Sequence, residues 1–469
     1  MFKPSAGSPV MVLLTVCLAQ FLAPFMVTAV GVALPSLGRE LGASALQLSL
    51  VEQLYVLSLA MTMLAFGRWG DIIGRRRIYM TGLAVYTVMT FSLGYTQGIV
   101  SIMAQRFVQG LGAAMYLSGS LALVASAYPQ EMRGRVIGTV SAATYAGLSL
   151  GPVIGGLITS HFGWRSVFLM VVPLGLAAVA ACAFGVPDDS RRDGERMDWT
   201  GALVYALAVG LFMLGAAHAG EMPKGPVMIA LGIGIAALFL RLESRTASPL
   251  LDLGLLRSNR SFTLGCLAAL GNYAATFGIT FLASLYLQYV KGLSPRQAGL
   301  VLLAMPAVQV VVTLQSGRMA DRMDPGRLAT AGMLMSTAGL LLAAATCGPD
   351  MPIWLLVLEL MLIGAGFGVF ISPNSASIMG SVERERFGLA SGMIAAMRTL
   401  GMAVSMTSVA LIFSVVMGRA AVSRETLPLF LGSMRAGLAL LAVFSCLGVL
   451  VSLGRVRRKR TAEVPPGGQ

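Results

Sequence analysis

Four ionisable residues stand inside long apolar runs: Glu52, Arg106, Glu359 and Arg398. Charge at such depth in a membrane is costly and marks ion or substrate pathways. Two acids and two bases cancel, so the set can pair completely. At about 1.5 Å of rise per residue, Glu52, Arg106 and Glu359 lie about 10 Å in from the outer face, and Arg398 lies near the midplane. A carboxylic acid in a low-dielectric cavity keeps its proton near neutral pH, and a substrate or an arginine then competes with that proton. Glu359 is the leading candidate for reversible proton binding and Glu52 the second. The alternative use of such groups is a static Glu–Arg pair that holds helices together. Gln20, Gln53, Asn272, Gln288, Gln309, Gln315 and Asn374 are the other polar residues in these runs. Asn272 and Asn374 are candidate hydrogen-bonding groups of a cavity; the alternative is interhelical bonding, worth about 0.6 kcal/mol each.

Other chemistries lack their residues. Cys17, Cys182, Cys266, Cys347 and Cys446 are odd in number and far apart, with no C-x-x-C pair. Neither a disulfide framework nor a structural zinc site is indicated. His161 and His218 end apolar runs, and neither has a Cys, Asp or Glu at ligand spacing. No metal, no catalytic constellation and no soluble signalling domain is expected, so the chain is not read as an enzyme or a sensor.

The elements that must position these charges follow from composition. Of 469 residues, 56% are apolar and 12% charged, with a mean hydropathy of +0.80. Soluble domains carry about 25% charged residues. The net charge of +14 is spread in short clusters between apolar runs, which excludes a nucleic-acid-binding face. Runs near the length of a bilayer span fall at about 10–34, 45–66, 78–97, 99–125, 135–160, 166–186, 200–218, 226–241, 262–288, 297–317, 328–347, 352–373, 388–417 and 434–454. The expected fold is therefore all-α and membrane-embedded, with fourteen transmembrane helices. The first run is too long for a cleaved signal, and Val16 before Cys17 does not suit a lipoprotein site. With the N-terminus in the cytoplasm, Lys and Arg favour the cytoplasmic loops roughly three to one, which predicts that both termini are cytoplasmic.

The sequence also repeats itself. Gly67-Arg-Trp-Gly-Asp71 returns as Gly317-Arg-Met-Ala-Asp321, an offset of 250; Gly110, Gly112, Gly134, Gly138 and Gly147 return as Gly364, Gly366, Gly388, Gly392 and Gly401, an offset of 254. Spans 1–6 and 9–14 are thus two parallel copies, and parallel six-helix halves are a transporter architecture with a substrate site between them. The expected organisation is an N-terminal half (1–198), a two-helix insertion (199–243), a linker (244–261) lying in the cytoplasmic interface on Pro249–Leu256, a C-terminal half (262–455) and a basic tail (456–469).

Several motifs carry a family resemblance. Gly67-x-x-x-Asp71-x-x-Gly74-Arg75-Arg76-Arg77 resembles the loop 2–3 signature of the major facilitator superfamily, and Arg106-x-x-Gln109-Gly110-x-Gly112 resembles its helix-4 motif. Gly147-x-x-x-Gly151-Pro152-x-x-Gly155-Gly156 resembles the helix-5 antiporter motif. Phe162-Gly-Trp-Arg165 and Pro249-Leu-Leu-Asp-Leu253 are similar to the fourteen-helix drug:proton antiporter branch, the EmrB/QacA type. The resemblance implies a cavity lined by spans 1, 4, 9 and 12, with Arg106, Gln109, Met26, Asn272 and Asn374 facing substrate. It implies a gate pair of Glu52 and Arg398, and a latch formed by Gly67, Asp71, Gly74, Arg75 and Arg76; read physically, Asp71 is placed to cap a helix N-terminus. The helix-5 glycines Gly147, Gly151, Gly155 and Gly156, with Pro152, would seal an interface.

One departure stands out. Ala33-Leu34-Pro35 is intact, but Met26 occupies the branch's usual acidic position on span 1, Gly31 its usual Asn, and Val172 a second Asn. The first half is thus more apolar than is usual in the branch. The expected function is proton-coupled export of amphipathic or lipophilic compounds, including drugs, by alternating access. The alternative is movement of a lipid or endogenous metabolite without drug specificity. A small molecule, protons and the bilayer are the expected partners, with no nucleic acid, no cofactor beyond the proton gradient, and a monomer. Thirty arginines against four lysines point to a GC-rich bacterial genome and a cytoplasmic membrane.

Overall fold

The computed structural model describes residues 8–187, 197–220, 222–246, 250, 253–320, 322–382, 387–418, 420, 422–423 and 425–462. Among the described residues all regular structure is helical. The long elements are α1 (Pro9–Leu41), α2 (Ala45–Ile73), α3 (Arg75–Leu93), α4 (Ile99–Ala127) and α5 (Gln130–Phe162). There follow α6 (Arg165–Gly185), α7 (Trp199–Ala217), α8 (Lys224–Glu243), α9 (Arg260–Val290), α10 (Pro295–Ala320) and α11 (Pro325–Thr346). The last are α12 (Ile353–Met379), α13 (Phe387–Val416) and α14 (Leu427–Ala462).

Thirteen of these are long and apolar enough to cross a bilayer. The remaining one, α3, is the expected third span. It is less apolar because three arginines open it and Tyr79, Tyr86, Thr87 and Thr90 turn inward. Of the predicted interfacial linker, Leu253–Ser258 forms a six-residue helix with Leu255 buried; Pro249, Leu251 and Asp252 lie outside the described residues, as do Asp321 of the repeat and the side chains of the basic tail.

Local signals set the helix ends. Gly42, with φ of 62°, closes α1. Ser44 and Gln47 form a capping box at the start of α2, and Ser294 with Gln297 repeats it at α10. These pairs satisfy backbone N–H groups that the first helical turn leaves without partners.

The chain divides into two compact units. Unit 1 comprises Met1–Leu251, Thr280–Leu303 and Phe413–Leu427; unit 2 comprises Asp252–Ile279, Ala304–Ile412 and Pro428–Gln469. Two of the boundaries coincide with helix interruptions. α9 breaks at Phe277, where the Gly278 N–H is taken by Ser405 Oγ (2.9 Å), and ends in a π-helical turn, Tyr286–Val290. α10 breaks at Leu303.

In unit 1, α1 lies along α5, α2 and α3 pack on α4, and α6 packs on α1 and α3. The insertion hairpin α7–α8 docks through α7 onto α2. There Gln53 Nε2 donates to the Met213 carbonyl (3.0 Å), and Trp69 and Trp199 meet edge to face with centroids 5.4 Å apart. α8 is largely exposed, presenting Val227, Leu231, Ile233 and Leu238, as a lipid-facing helix would. Gln53→Leu removes the buried tie to the insertion and should lower stability by about 0.6–1.7 kcal/mol. Thermal unfolding of the purified protein in detergent measures it; an unchanged midpoint would mean the hairpin docks on apolar contacts alone.

In unit 2, α12 packs against α9, α10 and α11, and α14 bonds α11 through Thr330–Ser452 (2.6 Å) and Thr337–Ser445 (2.7 Å).

The internal repeat is visible atom by atom. A Cβ on Gly112 of α4 would lie 2.7 Å from the Tyr86 nitrogen and 2.9 Å from the Gly82 oxygen of α3. A Cβ on Gly366 of α12 would meet the Ser336 nitrogen and the Gly332 oxygen of α11. Those residues are the same positions one repeat later, 82 to 332, 86 to 336 and 112 to 366. Likewise Gly147 abuts Phe21 and Phe25 of α1, and Gly401 abuts Leu270 and Ala274 of α9. Small residues let these backbones touch, as helices in lipid require.

Candidate functional site

In unit 1 the charges assemble around Arg106. One turn of α2 presents Glu52 and Tyr55, and α4 presents Arg106 and Gln109 at the same spacing, so each pair shares a helix face. Arg106 Nη2 lies 3.3 Å from Glu52 Oε2, its Nη1 donates to Gln109 Oε1 (2.7 Å), and its Nε donates to the Val51 carbonyl (3.3 Å). The guanidinium sits over the Tyr55 ring, 4.3 Å from its centroid. Gln109 Nε2 donates to Thr90 Oγ1 (2.7 Å), which donates to the Tyr86 carbonyl (2.7 Å). Arg106 and Gln109 are fully buried, and Glu52 is 3% exposed. One carboxylate oxygen, Oε1, has no hydrogen-bond partner. A buried pair of this kind is poor evidence for stability, since desolvation offsets its attraction. Its chemical capacity is different: the free oxygen can take a proton, which cancels the charge that holds Arg106.

Glu359 is placed elsewhere. Its Oε1 accepts a hydrogen bond from Thr346 Oγ1 of α11 (2.6 Å), and Oε2 has no partner. The repeat explains the contact. Thr96, at the end of α3, donates to Gln105 Oε1 of α4 (3.1 Å), and residues 96 and 105 become 346 and 359 in the second copy. Glu359 is therefore the counterpart of an amide that ties two neighbouring helices. Glu359→Gln should keep this bond, shift stability by under about 1 kcal/mol and leave transport in vesicles unchanged. Paired unfolding and vesicle assays check it; loss of transport in a folded protein would show that the carboxylate does more than tie α11 to α12.

The pair expected as a gate has other partners: Glu52 is held by Arg106, and the Arg398 guanidinium lies beside the Tyr273 hydroxyl of α9. Tyr273 meets Phe367 of α12 edge to face, with centroids 5.2 Å apart. Asn272 is fully buried, with no partner for either amide atom. Asn374 donates to the Gly265 carbonyl (3.2 Å) and accepts from Arg455 Nη1 (3.0 Å), a tie between α9, α12 and α14. Met26 is buried in α1. Arg455 and the two tyrosines were not among the residues singled out. Arg455 reads in sequence as the last residue of the C-terminal half, at the edge of a basic tail, whereas Tyr55 carried a signal, its one-turn spacing from Glu52.

The loop 2–3 residues form a corner. Gly67 adjoins Ser118, and Gly74, at φ of 111°, turns α2 into α3. Asp71 does not cap a helix, because it lies within α2 and binds Arg75 Nε across the corner (2.7 Å). Arg76 donates to the Ala183 carbonyl at the end of α6 (2.6 Å). On α5, Gly151 and Gly155 continue the face that Gly147 lays on α1, touching Thr28 and Ala29, while Gly156 and the Pro152 carbonyl meet Pro295 and Gly299 of α10.

A polytopic helical bundle with helix crossings repeated in two copies is the architecture of a membrane transporter. The chain belongs to the Major Facilitator Superfamily, whose sequence profile matches residues 16–406 and again residues 265–469. It is 30% identical to the Riboflavin transporter RibZ of Clostridioides difficile, over 84% of this chain and 86% of that one. It is also 30% identical to the Multidrug resistance protein Stp of Mycobacterium tuberculosis, over 79% and 70%. The crystal structure of a D-xylose-proton symporter superposes with a TM-score of 0.66 at 13% identity, covering 95% of this chain and 97% of that one, which establishes the shared fold.

Proposed function

We propose that this protein is a proton-coupled exporter of amphipathic or lipophilic compounds, a member of the fourteen-helix drug:proton antiporter branch. It works by alternating access in a bacterial inner membrane, with both termini cytoplasmic. The observation that carries this reading is the buried Glu52–Arg106 pair with one carboxylate oxygen free. A proton arriving from outside binds Glu52 Oε1, neutralises the carboxylate and loosens the 3.3 Å contact to Arg106. Arg106 keeps Gln109, the Val51 carbonyl and the Tyr55 face while that proton is bound. Release to the cytoplasm restores the pair and resets the cycle. The carboxylate that the branch usually carries on helix 1 is here supplied by α2, which accounts for Met26.

A second reading, movement of an endogenous metabolite, draws support from the likeness to a protein named a riboflavin transporter. Everted vesicles with an acid interior and a pH-sensitive dye test both. Release of protons on adding a lipophilic cation, a neutral antibiotic or an amphipathic acid is the result expected of an exporter. Passage of a labelled compound with no proton movement would leave a facilitator.

A further inference from the structure

We propose that Arg398 and Tyr273 recognise an acidic group, so that the compounds this protein exports are amphipathic acids or acidic phenols rather than cations. The inference deepens the export reading above and rests on it.

It starts from how the buried charges are distributed. Glu52 is committed to Arg106. Glu359 accepts from a threonine. Arg455 is held by Asn374 and Ser452 at the cytoplasmic end of α14. Arg398, on α13 near the midplane, faces a tyrosine hydroxyl instead. Among the described residues no carboxylate lies within ion-pair distance of it. Its side chain is only half-buried, so it is open to a visiting molecule. An arginine cannot shed its charge. A guanidinium kept in the membrane without a counter-ion is therefore a standing demand for an anion; its planar fork matches a carboxylate with two parallel hydrogen bonds, and two of its N–H groups can converge on the single oxygen of a phenolate.

Its surroundings describe the rest of the ligand. The Tyr273 ring, braced edge-on by Phe367, gives an aromatic surface beside the cation, suited to an aromatic or apolar body. The adjacent Asn272 offers a buried amide with donor and acceptor both free, which a second polar atom of a ligand would satisfy. Exchange of an outgoing monoanion for an incoming proton moves charge inward twice per cycle. Such export draws on the membrane potential as well as the pH gradient, whereas one-for-one exchange of a monovalent cation for a proton draws only on the latter.

The test uses purified full-length protein and one fluorescent skeleton in three charge states: dansylglycine, its methyl ester and dansylethylenediamine. Titration by dansyl emission should show the acid binding about tenfold tighter than the amine. Arg398→Gln should remove that preference and leave ester and amine binding within about twofold. Arg398→Lys keeps the charge without the fork and should retain part of the preference, as should Tyr273→Phe. These two variants keep the proposal testable if Arg398→Gln does not fold. Wild type that fails to prefer the acid overturns the assignment, and so does a folded Arg398→Gln that weakens all three probes equally. Binding needs no gradient, so the two readings separate. Charge preference without proton release in vesicles would sink the coupling and keep the site. Proton release driven by the amine and not by the acid would do the reverse.

Discussion

Glu52→Gln should yield a folded protein that no longer releases protons when substrate is added to everted vesicles. Gln has nearly the shape of Glu and can still accept from Arg106 Nη2, but it cannot carry the proton. The substitution holds the site in the form that a protonated Glu52 would have. The cost is a buried arginine without its counter-ion, a change that elsewhere removes about 3–5 kcal/mol. Here three other contacts remain, to Gln109, the Val51 carbonyl and the Tyr55 face, so the loss should fall below that range. Glu52→Asp restores the charge on a shorter stem and should recover part of the proton release. Size-exclusion profiles and unfolding midpoints of all three proteins separate lost coupling from lost folding. Proton release by Glu52→Gln at the wild-type rate would remove Glu52 from the mechanism.

The second large effect concerns folding. Gly112→Val should leave little folded protein, because its Cβ would sit 2.7 Å from the Tyr86 nitrogen and 2.9 Å from the Gly82 oxygen. Backbone atoms of a packed helix cannot swing away as a side-chain tip can, so α3 and α4 must part along the crossing. The expected loss is about 4 kcal/mol or more, a size reserved for a few named mechanisms of which forced overpacking is one. Gly119→Ala on the same helix is the control. Its Cβ would meet only the Tyr79 ring edge at 3.9 Å, and alanine is the better helix former by about 1 kcal/mol. Yield and unfolding midpoint in detergent should fall sharply for the first and hold or rise for the second. Equal behaviour of the two would mean that the crossing is loose.

The segments, their order and their repeat were legible because they rest on run length and on small residues at fixed offsets. The matched glycines Gly110–Gly364, Gly112–Gly366 and Gly147–Gly401 return in the structure as equivalent helix crossings. The direction each charge faces was not legible. Glu359 and Arg106 sit on corresponding helices, yet one residue of register, 359 against 360, turns the carboxylate onto α11 instead of onto the place where Arg106 stands in the first copy. The repeat contains that fact, since 359 answers to 105, but it matters only once Thr96 and Thr346 are seen to close on these positions. Asp71 was misjudged for a related reason. Its role depends on where α2 ends, and α2 runs two residues past it. The interruption of α9 at Phe277 has no proline to announce it; it is held by a serine from α13, a partner more than a hundred residues away.

The bond that closes α3 on α4 and α11 on α12 needs only an acceptor oxygen, and one copy uses an amide where the other uses an acid. A codon for Gln becomes one for Glu by a single base change. A gene built by duplication thus holds a place where charge can enter the membrane in one mutational step, with no helix repacked. Such a position is a reservoir from which a transporter can draw a new titratable group when its substrate changes, while the older site goes on working.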